Sequence, residues 1–184
     1  MNLYFVRHGQ TDWNVQHLTQ GWKDIPLNGT GIKQAEVLRN KLAQSSLKFD
    51  AVYPSPLQRV LRTAEIVTAG NYEIIPDDRL KERNCGEFEG KPRESIFNHC
   101  NIDFLDPVLN SSAFGVESIN DMTARVRNFL DDLKAKYSED ANILIFTSNG
   151  VMLRSHIIIT GDPDNPSQEH LPKFANSEIY PYKI

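Results

Sequence analysis

A histidine beside an arginine, directly after a short apolar run, is the feature of this sequence that could do chemistry. Residues 3–6 read Leu-Tyr-Phe-Val, and Arg7, His8 and Gly9 follow. An imidazole can attack phosphorus and form a covalent phosphohistidine, which divides one difficult displacement into two easier ones. A guanidinium supplies paired donors for phosphoryl oxygens. The segment therefore indicates phosphate-ester chemistry, with His8 as nucleophile and Arg7 as a phosphate ligand.

Two distant segments supply the other groups that this chemistry needs. Charge on the transferring phosphoryl group must be stabilised, and Arg59 offers a second guanidinium. The leaving alkoxide needs a proton, which a carboxylic acid beside the phosphate dianion could deliver, and Glu82 is the candidate. A surface role is the alternative for each residue. Arg59 could lie on a solvated helix face, and Glu82 could pair with Lys81 or Arg83.

Alternating strands and helices would bring these segments together. Short apolar runs predict strands at residues 3–6, 50–53, 72–75, 142–146 and 179–182. Apolar spacings of three and four predict helices at residues 31–44, 57–69 and 117–137 and from Gly150 onward, whereas residues 12–30 and 80–89 are predicted as loops. Because parallel neighbours need a crossover, the pattern predicts a three-layer α/β/α sandwich with a largely parallel central sheet. Ligands gather at the carboxyl ends of such strands.

Composition sets the broad class of protein. The 184 residues suit one domain, and contents of 40% hydrophobic and 24% charged residues are typical of globular chains. A net charge of -4 disfavours nucleic-acid binding, and no apolar run approaches the roughly 18 residues of a membrane span. Cys85 and Cys100 lack metal or redox spacing, so we expect free thiols. Because no signal peptide is visible, we expect a cytoplasmic location.

Four motifs carry a resemblance to the histidine phosphatase superfamily, in the branch that holds the cofactor-dependent phosphoglycerate mutases and small phosphatases. Residues 7–14 are similar to its Arg-His-Gly-x-Thr-x-x-Asn signature, and residues 26–35 to the segment that follows it. Residues 55–64 resemble its second arginine motif, and residues 80–90 resemble its acid loop. The resemblance extends over nearly the whole chain and implies a phosphoglycerate mutase-like fold.

The resemblance also assigns roles to individual residues. It implies that His8 is the nucleophile, that Glu82 is the proton donor, and that no metal or cofactor is required. The residues that it assigns to phosphate binding are Arg7, Asn14, Gln20, Gly21 and Arg59. We expect a single domain over residues 1–184, a cap insertion at residues 91–115 and a small-molecule phosphate ester as partner. Trp13 and Trp22 could wall the pocket or pack beneath the loop.

One position departs from the pattern of the family. After the strand at residues 142–146 the family has His-Gly, whereas this chain has Asn149 and Gly150. Asparagine can donate a hydrogen bond to a phosphoryl oxygen, but it cannot become cationic as imidazole does. Asn149 could instead cap the helix that follows it. His156 lies about two helical turns further on, roughly 10 Å away, so it is a poor substitute for the missing imidazole.

The sequence therefore predicts a metal-independent phosphomonoesterase that acts on a small phosphorylated metabolite, with Asn149 and Gly150 in the phosphate site. Two alternatives stay open. Asn149 is compatible with a catalytically weakened homologue that serves as a phosphate-binding or regulatory protein. The motifs are also compatible with a phosphoglycerate mutase-type phosphotransferase. The family's glycolytic mutases are longer than this chain, which favours the phosphatase.

Overall fold

The computed structural model describes residues 1–94, 114–162 and 172–184, and most of the predicted cap insertion at residues 91–115 lies outside them. The strands within these residues are β1 (Asn2–Arg7), β2 (Ala51–Pro54), β3 (Asn142–Thr147) and β4 (Ile179–Lys183). The helices are α1 (Asp12–Val15), α2 (Gly29–Gln44), α3 (Gln58–Thr68), α4 (Ile119–Lys136) and α5 (Asn149–Thr160). Strand and helix alternate along most of this order, as the sequence predicts.

The four strands form one sheet in the order β2-β3-β1-β4. β1 and β2 both run parallel to β3, with Phe5 and Tyr53 each paired to Ile145, and β4 runs antiparallel to β1. The predicted largely parallel sheet is therefore confirmed. Because β1, β2 and β3 run in the same direction, their carboxyl ends meet at one edge of the sheet.

Side chains from both faces of the central strands are buried, and each face has its own core. Successive side chains of a strand point to opposite faces. On one face, Phe5 and Ile145 pack with Phe129 of α4, and on the other, Val6 and Leu144 join the residues of α2 and α3. Helices therefore cover both faces of the sheet, which confirms the three-layer architecture. No helix in the described part of the chain is long and apolar enough to cross a membrane.

Three local predictions differ from the structure. The strand predicted at residues 72–75 is reduced to a single bridge between Val52 and Ile74, although the N–H groups of Ile75 and Asp77 donate to β2 at the carbonyls of Val52 and Pro54. The loop predicted at residues 12–30 contains α1. The loop ends at Asn28, which caps α2 by accepting a 2.9 Å bond from the Gly31 N–H, so α2 begins at Gly29. The loop predicted at residues 80–89 includes short 3₁₀ turns.

Candidate active site

The carboxyl-terminal edge of the sheet opens into a cavity of about 370 Å³. It lies where β1, β2 and β3 end, and loops from other parts of the chain complete its wall. All nine residues predicted for the site line this cavity: Arg7, His8, Asn14, Gln20, Gly21, Arg59, Glu82, Asn149 and Gly150. The structure thus brings together residues that lie as far apart in sequence as Arg7 and Gly150.

Backbone and side-chain hydrogen bonds fix His8 at the end of β1. Its backbone N–H donates to the carbonyl of Thr147 at 3.0 Å, and its carbonyl accepts from Asn176 Nδ2 at 2.6 Å. The imidazole Nδ1 lies 2.7 Å from the carbonyl oxygen of Gly9. Since a carbonyl can only accept, Nδ1 carries the proton, and Nε2 of the neutral ring keeps its lone pair.

The surroundings of His8 also favour the neutral ring. Its side chain is buried, and burial together with the positive charges of Arg59 and Arg7 holds the pKa of His8 well below its usual range. The hydrogen bond to Gly9 acts in the opposite direction and is outweighed. The unprotonated imidazole is the form that can attack an electrophile.

Backbone carbonyls hold Arg7 and Arg59 in the cavity wall. Arg59, at the start of α3, is 0% exposed, and its Nη1 and Nη2 each donate at 2.8 Å, to the carbonyls of Lys23 and Gly21. Arg7 Nη1 donates to the carbonyl of Phe174 at 2.7 Å. Each guanidinium has five N–H donors, so several are left for a ligand. The Nε atoms of Arg7 and Arg59 are buried with no hydrogen-bond partner among the described residues.

Two backbone N–H groups hold the carboxylate of Glu82 at the cavity wall. Oε1 accepts from the N–H of Arg83 at 2.8 Å, and Oε2 accepts from the N–H of Gly150 at 3.1 Å. A Cβ atom at position 150 would lie 2.2 Å from Glu82 Oε1, so a side chain there would displace the carboxylate from this position. Lys81 pairs with Asp78 at 2.8 Å instead of with Glu82. The carboxylate therefore lies in the cavity wall, and a surface ion pair with Lys81 is excluded.

The loop after β1 orients further polar groups. Asn14 Oδ1 accepts from the backbone N–H and the hydroxyl of Thr11, at 3.0 and 3.1 Å, so its Nδ2 is the donor left for a ligand. Gly21 holds Arg59 through its carbonyl, as described above, and the side chain of Gln20 is buried. The structure thus gives Gly21 a role in orienting an arginine.

Asn149 begins helix α5 directly after β3, and it lines the cavity. The N-cap of this helix is Ser148, so the capping role considered for Asn149 is wrong. His156 lies two turns further along, where its ring nitrogens contact Tyr182 and Asp162, each at 3.0 Å. Its ring is therefore engaged elsewhere, in agreement with the prediction that it does not replace an imidazole at position 149.

Sequence reasoning missed part of the lining. The missed residues are Thr19, Arg83, Cys85, Arg93, Ile119, Met122, Leu153 and Arg154. The position of Arg154 could have been found, because it lies about one turn beyond Gly150 on the same helix. Neither Trp13 nor Trp22 is among the described lining residues, and Trp22 Nε1 donates to the carbonyl of Glu82 at 2.6 Å.

Positive charge dominates this lining. Its described residues include five arginines, and Glu82 is the one carboxylate among them. Within residues 1–94, 114–162 and 172–184, no group of three or more His, Cys, Asp or Glu side chains could hold a metal ion. The described wall is therefore suited to an anion.

The lowered pKa of His8 predicts how stability depends on pH. Below a pH of about 6.5 the unfolded chain protonates this histidine while the folded chain does not. The unfolded state then binds more protons, so the free energy of unfolding decreases as the pH is lowered. Between about pH 7.5 and about pH 5.5, the wild type should lose about 1 kcal/mol more unfolding free energy than His8→Gln. Urea denaturation of both proteins measures the difference. Parallel pH dependences would contradict the lowered pKa.

Comparison with known proteins agrees with the phosphate chemistry that the cavity geometry indicates. The sequence profile of the histidine phosphatase superfamily (branch 1) matches residues 3–179. The uncharacterized phosphatase PhoE of Bacillus subtilis is 32% identical over 160 residues, which cover 86% of this chain and 78% of that protein. The match therefore includes all the motifs that line the cavity.

Solved structures agree with this assignment. YhfR of Bacillus stearothermophilus superposes with a TM-score of 0.83 at 29% identity, over 98% of this chain and 89% of that one. A phosphoserine phosphatase of Entamoeba histolytica, solved with 3-phosphoglyceric acid, gives a TM-score of 0.79 at 26% identity, with the same coverage of 98% and 89%. The chain therefore belongs to branch 1 of the histidine phosphatase superfamily, and it is a phosphatase with a phosphoglycerate mutase-like fold.

Proposed function

We propose that this phosphatase is a metal-independent phosphomonoesterase that acts on a small phosphorylated metabolite through a phosphohistidine on His8. The observation that carries the proposal is the state of that ring: it is a buried, neutral imidazole whose Nδ1 proton is bound by the Gly9 carbonyl. It lies beside the guanidinium groups of Arg59, which is fully buried, and Arg7, which is partly buried. Nε2 is then the nucleophilic atom, and Arg7 and Arg59 are the ligands of the phosphoryl oxygens.

The first half of the reaction transfers the phosphoryl group to the enzyme. His8 Nε2 attacks phosphorus, the P–O bond to the alcohol breaks, and the leaving oxygen takes a proton from the Glu82 carboxylic acid. A phosphate dianion beside Glu82 favours that protonated form, because two like charges repel each other. Asn14 Nδ2 donates to a phosphoryl oxygen alongside the guanidinium groups.

The second half returns the enzyme to its starting state. The Glu82 carboxylate accepts a proton from water as the water oxygen attacks phosphorus, and the bond between phosphorus and Nε2 breaks. Inorganic phosphate leaves, while Glu82 regains its proton and His8 its neutral ring. A mutase would instead pass the phosphoryl group to a second hydroxyl group of the substrate.

Replacement of His8 tests the nucleophile. His8→Ala should lower kcat for p-nitrophenyl phosphate by roughly 10³-fold or more. Cys85 also lines the cavity, but burial raises the pKa of its thiol to about 12, so it is a poor substitute nucleophile. The wild type, denatured in alkali during turnover, should show a phosphohistidine signal in ³¹P NMR, and His8→Ala should not. His17→Asn, which alters an exposed histidine outside the cavity, is the matched control. A phosphoenzyme that survives in His8→Ala would refute the assignment.

Asn149 motivates a second candidate, a homologue whose turnover is weak. Asparagine can contact the phosphoryl group, but it adds no positive charge to the transition state. Restoring a histidine with Asn149→His should raise kcat by about 10²- to 10³-fold, the usual effect of one well-placed donor on the transition state. Asn40→His, on the exposed face of α2, controls for adding an imidazole. An unchanged kcat would show that Asn149 does not limit turnover.

The remaining arginines of the cavity point to a substrate with a second anionic group. Arg83, Arg93 and Arg154 line the same wall as the phosphate ligands. The charge of Arg93 lowers the pKa of both Arg7 and His8, so it lies close enough to act on a bound phosphate ester. The solved phosphoserine phosphatase that binds 3-phosphoglyceric acid supports a carboxylate as the second group.

A pair of matched substrates tests this class. The kcat/KM for O-phosphoserine should be about 10-fold or more higher than that for O-phosphoethanolamine, which lacks the carboxylate. The reason is that a hydrogen bond to a charged group is worth about 1.5 to 3 kcal/mol. Arg93→Met should reduce the preference, whereas Arg62→Met, on the exposed face of α3, should leave it unchanged. Equal rates for the two esters in the wild type would remove the second anionic group from the proposal.

A further inference from the structure

An ion pair outside the cavity ties the segment that carries Glu82 to helix α4. Arg125 Nε and Nη2 lie 2.6 and 2.9 Å from the Oε1 and Oε2 atoms of Glu117. The two side chains are mostly buried, at 16% and 12% exposure. Neither residue is among the described lining of the cavity.

Arg125 reaches the acid segment through its remaining donors. Nη1 donates to the carbonyl of Arg79 at 2.5 Å, and Nη2 donates to the carbonyl of Glu82 at 3.1 Å. One guanidinium therefore holds two carbonyls that are three residues apart. The Glu82 carbonyl also accepts from Trp22 Nε1 at 2.6 Å, so donors from two separate elements fix its backbone.

Glu117 holds the other end of the same segment. Its backbone N–H donates to the carbonyl of Asn84 at 2.9 Å, and its Oε2 accepts from the N–H of Asn84 at 3.2 Å. Its own carbonyl accepts from Arg83 Nε at 2.7 Å. The backbone on both sides of Glu82 is thus bonded to the Arg125–Glu117 pair.

The Arg125–Glu117 pair is better explained by the positioning of Glu82 than by a contribution to the stability of the fold. A buried ion pair contributes little net stability, because the loss of hydration offsets much of the attraction. A proton donor, in contrast, loses efficiency when its carboxyl group moves by about 1 Å from the reacting oxygen. The bonds from Arg125 and Glu117 act on the backbone from which that carboxyl group extends.

We infer that Arg125 and Glu117 are positioning residues for the proposed acid, holding Glu82 where it can protonate the leaving oxygen. The inference rests on the proposed function, because it takes Glu82 as the proton donor. It predicts that loss of the pair lowers kcat/KM, which reports the first phosphoryl transfer, chiefly for esters whose leaving group needs the acid. A merely structural role would impair all substrates alike.

The leaving group of the substrate separates these two possibilities. Ethyl phosphate releases a strongly basic alkoxide that needs a proton, whereas p-nitrophenyl phosphate releases a stable phenolate that does not. Arg125→Met should lower kcat/KM for ethyl phosphate roughly 10- to 100-fold more than for p-nitrophenyl phosphate. Arg125→Lys should show a smaller selective loss. Arg127→Met, an exposed arginine on the same helix, should show none.

Glu82→Gln separates failure of this inference from failure of the proposed function. If Glu82→Gln lowers kcat/KM for the two esters equally, the acid role itself is wrong, and the inference falls with it. If Glu82→Gln is selective but Arg125→Met affects both esters equally, or neither, the positioning role alone is overturned. Circular dichroism checks that each variant is folded. If Arg125→Met is unfolded, Glu117→Gln carries the test, with a selective loss expected and an equal loss overturning the inference.

Discussion

The rest of the site depends on one imidazole that is buried beside two guanidinium groups. A protonated His8 would face the charges of Arg7 and Arg59 in a region shielded from water, and its pKa is lowered accordingly. The neutral ring needs a partner for its Nδ1 proton, which the Gly9 carbonyl supplies. Gly9 can occupy that place because it packs against α2, where a Cβ atom would lie 2.5 Å from the Gly31 carbonyl. Tight backbone packing therefore fixes which nitrogen of the neutral ring carries the proton, and leaves the lone pair on Nε2.

The charge of the cavity is a local property of this chain. The whole protein carries a formal net charge of -4, yet the described cavity wall holds five arginines and one carboxylate. Carbonyl groups hold Arg7 and Arg59, so the positions of these two arginines are set before any ligand arrives. Fixed charges in a cleft act more strongly on a ligand than the same charges spread over a solvated surface. Net charge alone would not have revealed this site.

Much of the site could be predicted because its residues follow strands. Apolar runs predict where β1 and β3 end, and a parallel sheet places those ends together, so His8 and Asn149 could be assigned to one edge. Glu82 and Arg59 could be assigned through motif resemblance. What failed depends on interactions between distant segments. Arg93 reaches the cavity because its N–H pairs with the His17 carbonyl, and no local pattern encodes that pairing.

The hydrogen bond from Trp22 to the Glu82 carbonyl gives the acid segment its own optical label. The chain has two tryptophans, and the indole of Trp22 is 41% exposed, so its emission responds to solvent and to its hydrogen bond. Lys81, the neighbour of Glu82, lies 5.1 Å above the same ring. Any movement of the acid segment would change both contacts at once. In a Trp13→Phe variant, the fluorescence of Trp22 can therefore follow that segment in solution without an added dye.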